Sequence, residues 1–234
     1  MTAIFKREFR SYFTGGIGLA YCALFIFLAN LNYHELFVTQ YSSNFVRIFE
    51  VILGNMSFLI PILTMRIWSE EKKQKTDQLL LTSPVTPMQL VMGKFMAAMA
   101  VYLVSLALTL TYPLITNIYD GVVEWKLIIG NYIAITCVAA AYIAVCQFMS
   151  CLTESQIISA ILSVATLMLF SLVQELVGTD IDFLYEIASF ISIQIRYTSF
   201  VQGMFVFSDI VYFISLAAFF LFITSRVIDK RRWS

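Results

Sequence analysis

Charge is scarce in this chain, and so are the residues that most chemistry needs. Only 13% of the 234 residues are Asp, Glu, Lys or Arg, against 60% hydrophobic, and the mean hydropathy is +0.83. Soluble domains carry about 25% charged residues, so a soluble fold of this size could not hide so much apolar surface. The bilayer must be the solvent for most of it. The formal net charge is zero, which removes the electrostatic case for a nucleic-acid partner. There is one histidine, His34, so a histidine-based metal centre or membrane protease is excluded. No GxSxG or HExxH run occurs. No GxxxxGK[ST] run occurs either, so the chain lacks a phosphate-binding loop of that type. The four cysteines, Cys22, Cys137, Cys146 and Cys151, lack CxxC spacing and lie in or beside apolar runs. They read as small packing residues rather than as disulfides or metal ligands.

What is present is a series of long apolar runs. Residues 1–13 precede them as an amphipathic helix, with Phe5, Phe9, Tyr12 and Phe13 on one face and Lys6, Arg7 and Arg10 on the other. Such a helix should lie in the membrane interface. The first apolar run has no clear small-residue cleavage site after it and is expected to be retained. Spans are predicted near 16–33, 48–66, 88–116, 127–152, 155–177 and 205–226. Pro61 is expected to kink the second. Lys94, early in the third, is expected to snorkel to the headgroups. Segment 178–204 holds uncharged runs too short to cross about 30 Å of hydrocarbon, and reads as short re-entrant or interfacial helices. Gly130, Ala139, Ala140 and Ala141 suit close helix packing, and a partner chain is one surface they could face.

Basic residues set the topology. With six spans, one side holds Lys6, Arg7, Arg10, Arg66, Lys72, Lys73, Lys75, Lys94, Arg226, Lys230, Arg231 and Arg232. The other side holds Arg47, Lys126 and Arg196. This asymmetry predicts cytoplasmic N and C termini and a cytoplasmic loop over residues 67–87. Five spans would place the C-terminal cluster outside and lose it.

That loop is the most distinctive part of the chain. Glu70 to Leu81 lacks Gly and Pro and is rich in helix formers, with Glu70 and Glu71 near the start, where acids favour the helix dipole. Thr82-Ser83-Pro84 should end the helix. Leu79, Leu80 and Leu81 then form an apolar knob at an aqueous surface, a feature suited to docking a protein. The run Ser69-Glu70-Glu71-Lys72-Lys73-Gln74-Lys75-Thr76-Asp77-Gln78-Leu79-Leu80-Leu81-Thr82-Ser83-Pro84-Val85, followed by Gly93-Lys94-Phe95, resembles the ABC-2-type permeases, especially the gliding-motility-like branch. Lys75 departs from that pattern, which commonly has Gly there.

The resemblance spans essentially the whole chain, and it implies an all-α membrane protein forming one permease domain, 1–234. Residues 1–13 would be an elbow helix containing Phe5, Lys6, Arg7, Phe9 and Arg10. A coupling helix between spans two and three would dock on a separate ABC ATPase subunit through Glu70, Glu71, Thr76, Asp77, Leu79 and Leu80. Short outer helices would lie between spans five and six. ATP and Mg would be bound by that ATPase and no cofactor by this chain, which would not itself be an enzyme. A second permease copy or a related permease would complete a dimer in the cell membrane, and export would be the direction. The substrate is unreadable.

Two other classes compete. An ion-coupled carrier would need ionisable groups at membrane depth. Glu50, Glu154, Glu175 and Asp209 are the candidates, and all fall near predicted span ends. Glu175, near Asp180 and Asp182, could line an outer vestibule. The other rival is a structural membrane subunit that transports nothing.

Overall fold

The computed structural model describes residues 2–35, 45–76, 85–119, 124–177, 193, 196–197 and 207–232. Among these there is no strand. The helices in chain order are α1 Thr2–Thr14, α2 Ile17–Tyr33, α3 Phe45–Thr64, α4 Ser69–Lys73, α5 Pro87–Leu108, α6 Thr111–Tyr119, α7 Trp125–Leu152, α8 Gln156–Val177 and α9 Phe207–Arg232.

The centre of the bundle is α7. Its 28 residues span about 42 Å at 1.5 Å each. It packs on α9, α3, α8 and α5. Gly130, Ala134, Ala139, Ala141 and Ala144 are buried along it, so small side chains let neighbouring backbones come close. Gly130, Ala139 and Ala141 therefore serve the chain's own core. The surface is apolar in turn: Leu19, Ile157, Ile161, Leu169, Phe207 and Phe219 are all more than half exposed. Contiguous apolar exposure on this scale fits a lipid-facing wall.

Four stretches are long and apolar enough to cross a bilayer: Arg47–Lys73, Pro87–Ile118, Trp125–Leu152 and Phe207–Lys230. A fifth arises if α1 and α2, bent by 68° at their junction, count as one crossing. Gly16 makes that bend, with φ +75°, a conformation glycine adopts without steric cost. At Gly18 a Cβ would stand 3.0 Å from the Tyr12 carbonyl oxygen, so a larger residue would require the corner to give by a few tenths of an ångström. α3 passes through Pro61 as one continuous helix. The end of α3 is secured locally, with Thr64 Oγ1 donating to Ile60 O at 2.8 Å.

α5 begins as its sequence dictates. Thr86 is extended, its hydroxyl accepts the Gln89 N–H at 3.3 Å, and Pro87 takes the first helical position. The helix expected in the 67–87 loop is shorter than the sequence suggests. A helix was predicted over Glu70–Leu81; α4 stops at Lys73. Lys75 adopts φ +56°, its N–H donates to Lys72 O at 3.0 Å, and the Thr76 N–H donates to Glu71 O at 2.9 Å. These two bonds form a Schellman stop, whose left-handed position favours glycine. Residues 77–84 lie outside the described residues.

A lysine in the left-handed region carries a steric cost of about 1–2 kcal/mol. Lys75→Gly should therefore raise the unfolding free energy by about 1 kcal/mol, and Lys75→Val should lower it. Thermal or SDS-driven unfolding of the purified protein would check this; a loss of stability in Lys75→Gly would contradict the assignment.

Candidate functional site

α1, the start of α4 and the early turns of α5 meet at one end of the bundle, and a cluster of charges joins them. Its centre is Lys94. The side chain is 1% exposed, so it does not snorkel to the headgroups as the sequence suggested. An ammonium has three N–H donors, and this one has three acceptors: Glu71 Oε1 at 2.8 Å, Ile67 O at 2.9 Å and Glu8 Oε1 at 3.5 Å. The ammonium also stands 4.9 Å from the centre of the Trp68 ring. Burying an ammonium without partners carries a large desolvation cost, so the partners are a condition of the fold.

Arg7 extends the cluster from α1. It pairs with Glu8 at 2.5 Å and with Glu71 at 3.4 Å. At 53% side-chain exposure its contribution is screened by water, and Lys94 is the stronger anchor. Arg66, in the break between α3 and α4, donates to Ser11 Oγ at 3.0 Å and sits 5.4 Å over the Tyr12 ring. Tyr12 in turn donates to Leu63 O at 3.2 Å. Glu71 Oε2 is buried with no hydrogen-bond partner among the described residues. The groups line an open notch of about 330 Å³ that also takes in Glu70, Gln74 and Thr76.

The two carboxyls, Glu8 on α1 and Glu71 on α4 beyond the break that follows Thr64, respond differently to the site. Burial raises the Glu8 carboxyl, but Lys94 and Arg7 more than offset it, and its pKa falls below the ordinary 4.5. Burial dominates at Glu71, and Lys94 offsets it only in part, so that carboxyl rises. On acidification Glu71 loses its charge first and Lys94 keeps Glu8.

α7 secures the other side of α4. The Ser150 hydroxyl accepts from Trp68 N at 3.2 Å and Ser69 N at 3.4 Å, and donates to Met65 O at 3.1 Å. It thus satisfies backbone groups at the break and at the helix start. The Lys72 ammonium bonds the Cys151 carbonyl. Lys73 borders a second open notch, of about 450 Å³, with Glu154, Ser155, Gln156 and Ile157. α4 and the α7–α8 corner therefore share one end. Phe220 on α9 meets Phe148 on α7 with ring centres 5.8 Å apart. Of the basic groups that charge patterning assigned to one side, Arg7, Arg66, Lys72, Lys73 and Lys94 lie at this junction.

The sequence-derived site residues divide as follows. Glu70, Glu71 and Thr76 line the first notch. Asp77, Leu79 and Leu80 lie outside the described residues. Phe5, Phe9 and Phe13 form a ladder on α1 with ring centres 5.8 and 5.0 Å apart, partly buried, while Lys6 and Arg10 are exposed. α1 packs chiefly on α5. Glu175 falls in the last turn of α8, with its side chain outside the described residues. Of the outer segment 178–204, only 193 and 196–197 are described, and these are helical. Asp209 is buried and paired with Arg196 at 2.9 Å. Glu8, Ser150 and the role of Lys94 were missed. The signals were an acid within a basic helix and a lysine flanked by apolar residues inside a span.

The fold and this junction define a multi-pass helical membrane protein with a charged, structured face at one end. The family model described as "ABC-2 family transporter protein" matches residues 2–224, and the chain belongs to that family. It is a membrane permease of an ABC transporter. No curated protein matches the chain.

Because the Glu8 pKa is lowered on folding, its stabilising effect is present above 4.5 and is lost as pH falls through the lowered value. Wild type should therefore unfold at a higher temperature than Glu8→Gln at neutral pH, and the gap should close on acidification below 4.5. A gap that ignores pH would contradict the pairing.

Proposed function

We propose that this chain is the permease of an ATP-driven exporter, and that α4 with the following leucines is its coupling element. The family match supports the permease assignment. The observation that carries the mechanical reading is the tethering of α4. Ser150 and Lys94 hold its start, Lys72 bonds Cys151, and Arg66 at the preceding break bonds Ser11. A helix tethered to α1, α5 and α7 passes displacement to the bundle; a loose loop would dissipate it.

In this reading the polypeptide crosses the membrane six times, with α2 and α8 as crossings and both termini in the cytoplasm. A separate ABC ATPase binds ATP and Mg and grips Glu70, Glu71, Thr76, Asp77, Leu79 and Leu80, while α1 is the elbow helix beside it. Closure of two ATPase domains around nucleotide then favours one arrangement of the spans over another. A second permease copy or a related permease completes the path, and the membrane is the cell membrane. Glu175 lines the outer vestibule. An ion-coupled carrier has weaker support, since Asp209 is neutralised by Arg196 and Glu50 is exposed on α3.

Leu79→Asp combined with Leu80→Asp should abolish co-purification of the ATPase while the permease stays inserted and monodisperse. Pull-down from solubilised membranes reads this directly. Undiminished association would overturn the docking assignment.

A further inference from the structure

We propose that Lys94 is a positioning residue that clamps α1 and α4 into one rigid unit, by lending a single buried ammonium to one carboxylate on each. The inference deepens the coupling reading above and rests on it for its functional meaning. The argument begins with separation in sequence. Glu8 and Glu71 stand on different helices, 63 positions apart. Each carboxylate approaches the same nitrogen, at 3.5 and 2.8 Å. That nitrogen is carried by a third helix, α5, and its side chain is 1% exposed.

Burial makes the link stiff. At the surface two such pairs would exchange with water at little cost. Here, moving either carboxylate away would leave a buried ammonium short of an acceptor, and the desolvation cost falls on whichever arrangement separates them. The third bond, to Ile67 O at 2.9 Å, fixes the ammonium to the break between α3 and α4. Lys94 therefore holds the hinge of α4 as well as its first turn. Arg7 spans the same two acids from the solvent side, at 2.5 and 3.4 Å. The order of charges is a ring of alternating sign: Lys94, Glu71, Arg7, Glu8. Such a ring favours the α1–α4 spacing that lets one Lys serve both acids. The consequence is that a push on α4 moves α1 with it, rather than rotating α4 about its short tethers.

Spin labels at Ala3→Cys and Lys73→Cys, with the native cysteines replaced by alanine, report the α1–α4 distance. In the purified permease the distance distribution should be narrow with Lys94 present and wider in Lys94→Met. Glu8→Gln is the second variant. It leaves Lys94 paired with Glu71, so the fold is less challenged, and it should widen the distribution by loosening α1 alone. In the permease–ATPase complex the wild-type distance should be the same without nucleotide and with ATP, and should change with ATP in Lys94→Met. An unchanged distribution in Glu8→Gln, or a wild-type distance that shifts with ATP as much as the variant's, would overturn the clamp. Absence of an ATPase from the purified complex would instead sink the coupling reading, and the measurements on the permease alone would still decide the clamp.

Discussion

A single ammonium, taken out of water at the end of a lipid-embedded bundle, constrains the geometry of every element around it. Lys94 is buried, and a buried ammonium is tolerated only with partners close at hand. It obtains them from α1, from α4 and from the backbone between α3 and α4. The Gly16 corner turns α1 back over α5, which brings Glu8 within reach. The Schellman stop at Lys75 ends α4 after little more than one turn, and Glu71, in its first turn, bonds the Lys94 ammonium. These local features, in different parts of the sequence, converge on the same few ångströms.

The remaining contacts tie the junction into the bundle. Ser150 and the Cys151 carbonyl tie α4 to α7, the helix on which α3, α5, α8 and α9 all pack. A displacement delivered to α4 has a short path of backbone and buried polar contacts into the bundle's centre. In lipid, where apolar burial between helices gains little over burial against acyl chains, such polar contacts and close small-residue packing specify the arrangement.

Much of this was legible before any coordinates. Long apolar runs announced helices in lipid because no soluble fold could bury them. The two faces of residues 1–13 announced α1, which runs from Thr2 to Thr14. The Arg66–Lys94 stretch stood out because it is polar between two spans. What was not legible depends on distance in sequence. Snorkelling was the natural expectation for Lys94, because its acidic partners sit 86 and 23 positions upstream. The length of α4 was misjudged because helix propensity favoured continuation through Lys75, while the capping bonds of Lys75 and Thr76 favoured a stop. Gly130, Ala139 and Ala141 invited a partner chain, yet they pack inside their own bundle, since small residues serve any close helix contact.

The most direct measurement is a double-mutant cycle between Lys94→Met and Glu71→Gln, read as unfolding free energies in SDS titrations of the purified protein. A shared buried ion pair predicts non-additivity of about 1–3 kcal/mol, with the double variant less damaged than the two singles imply. Effects that add to within about 0.5 kcal/mol would mean the two residues do not act together, and the joint would have to be sought elsewhere.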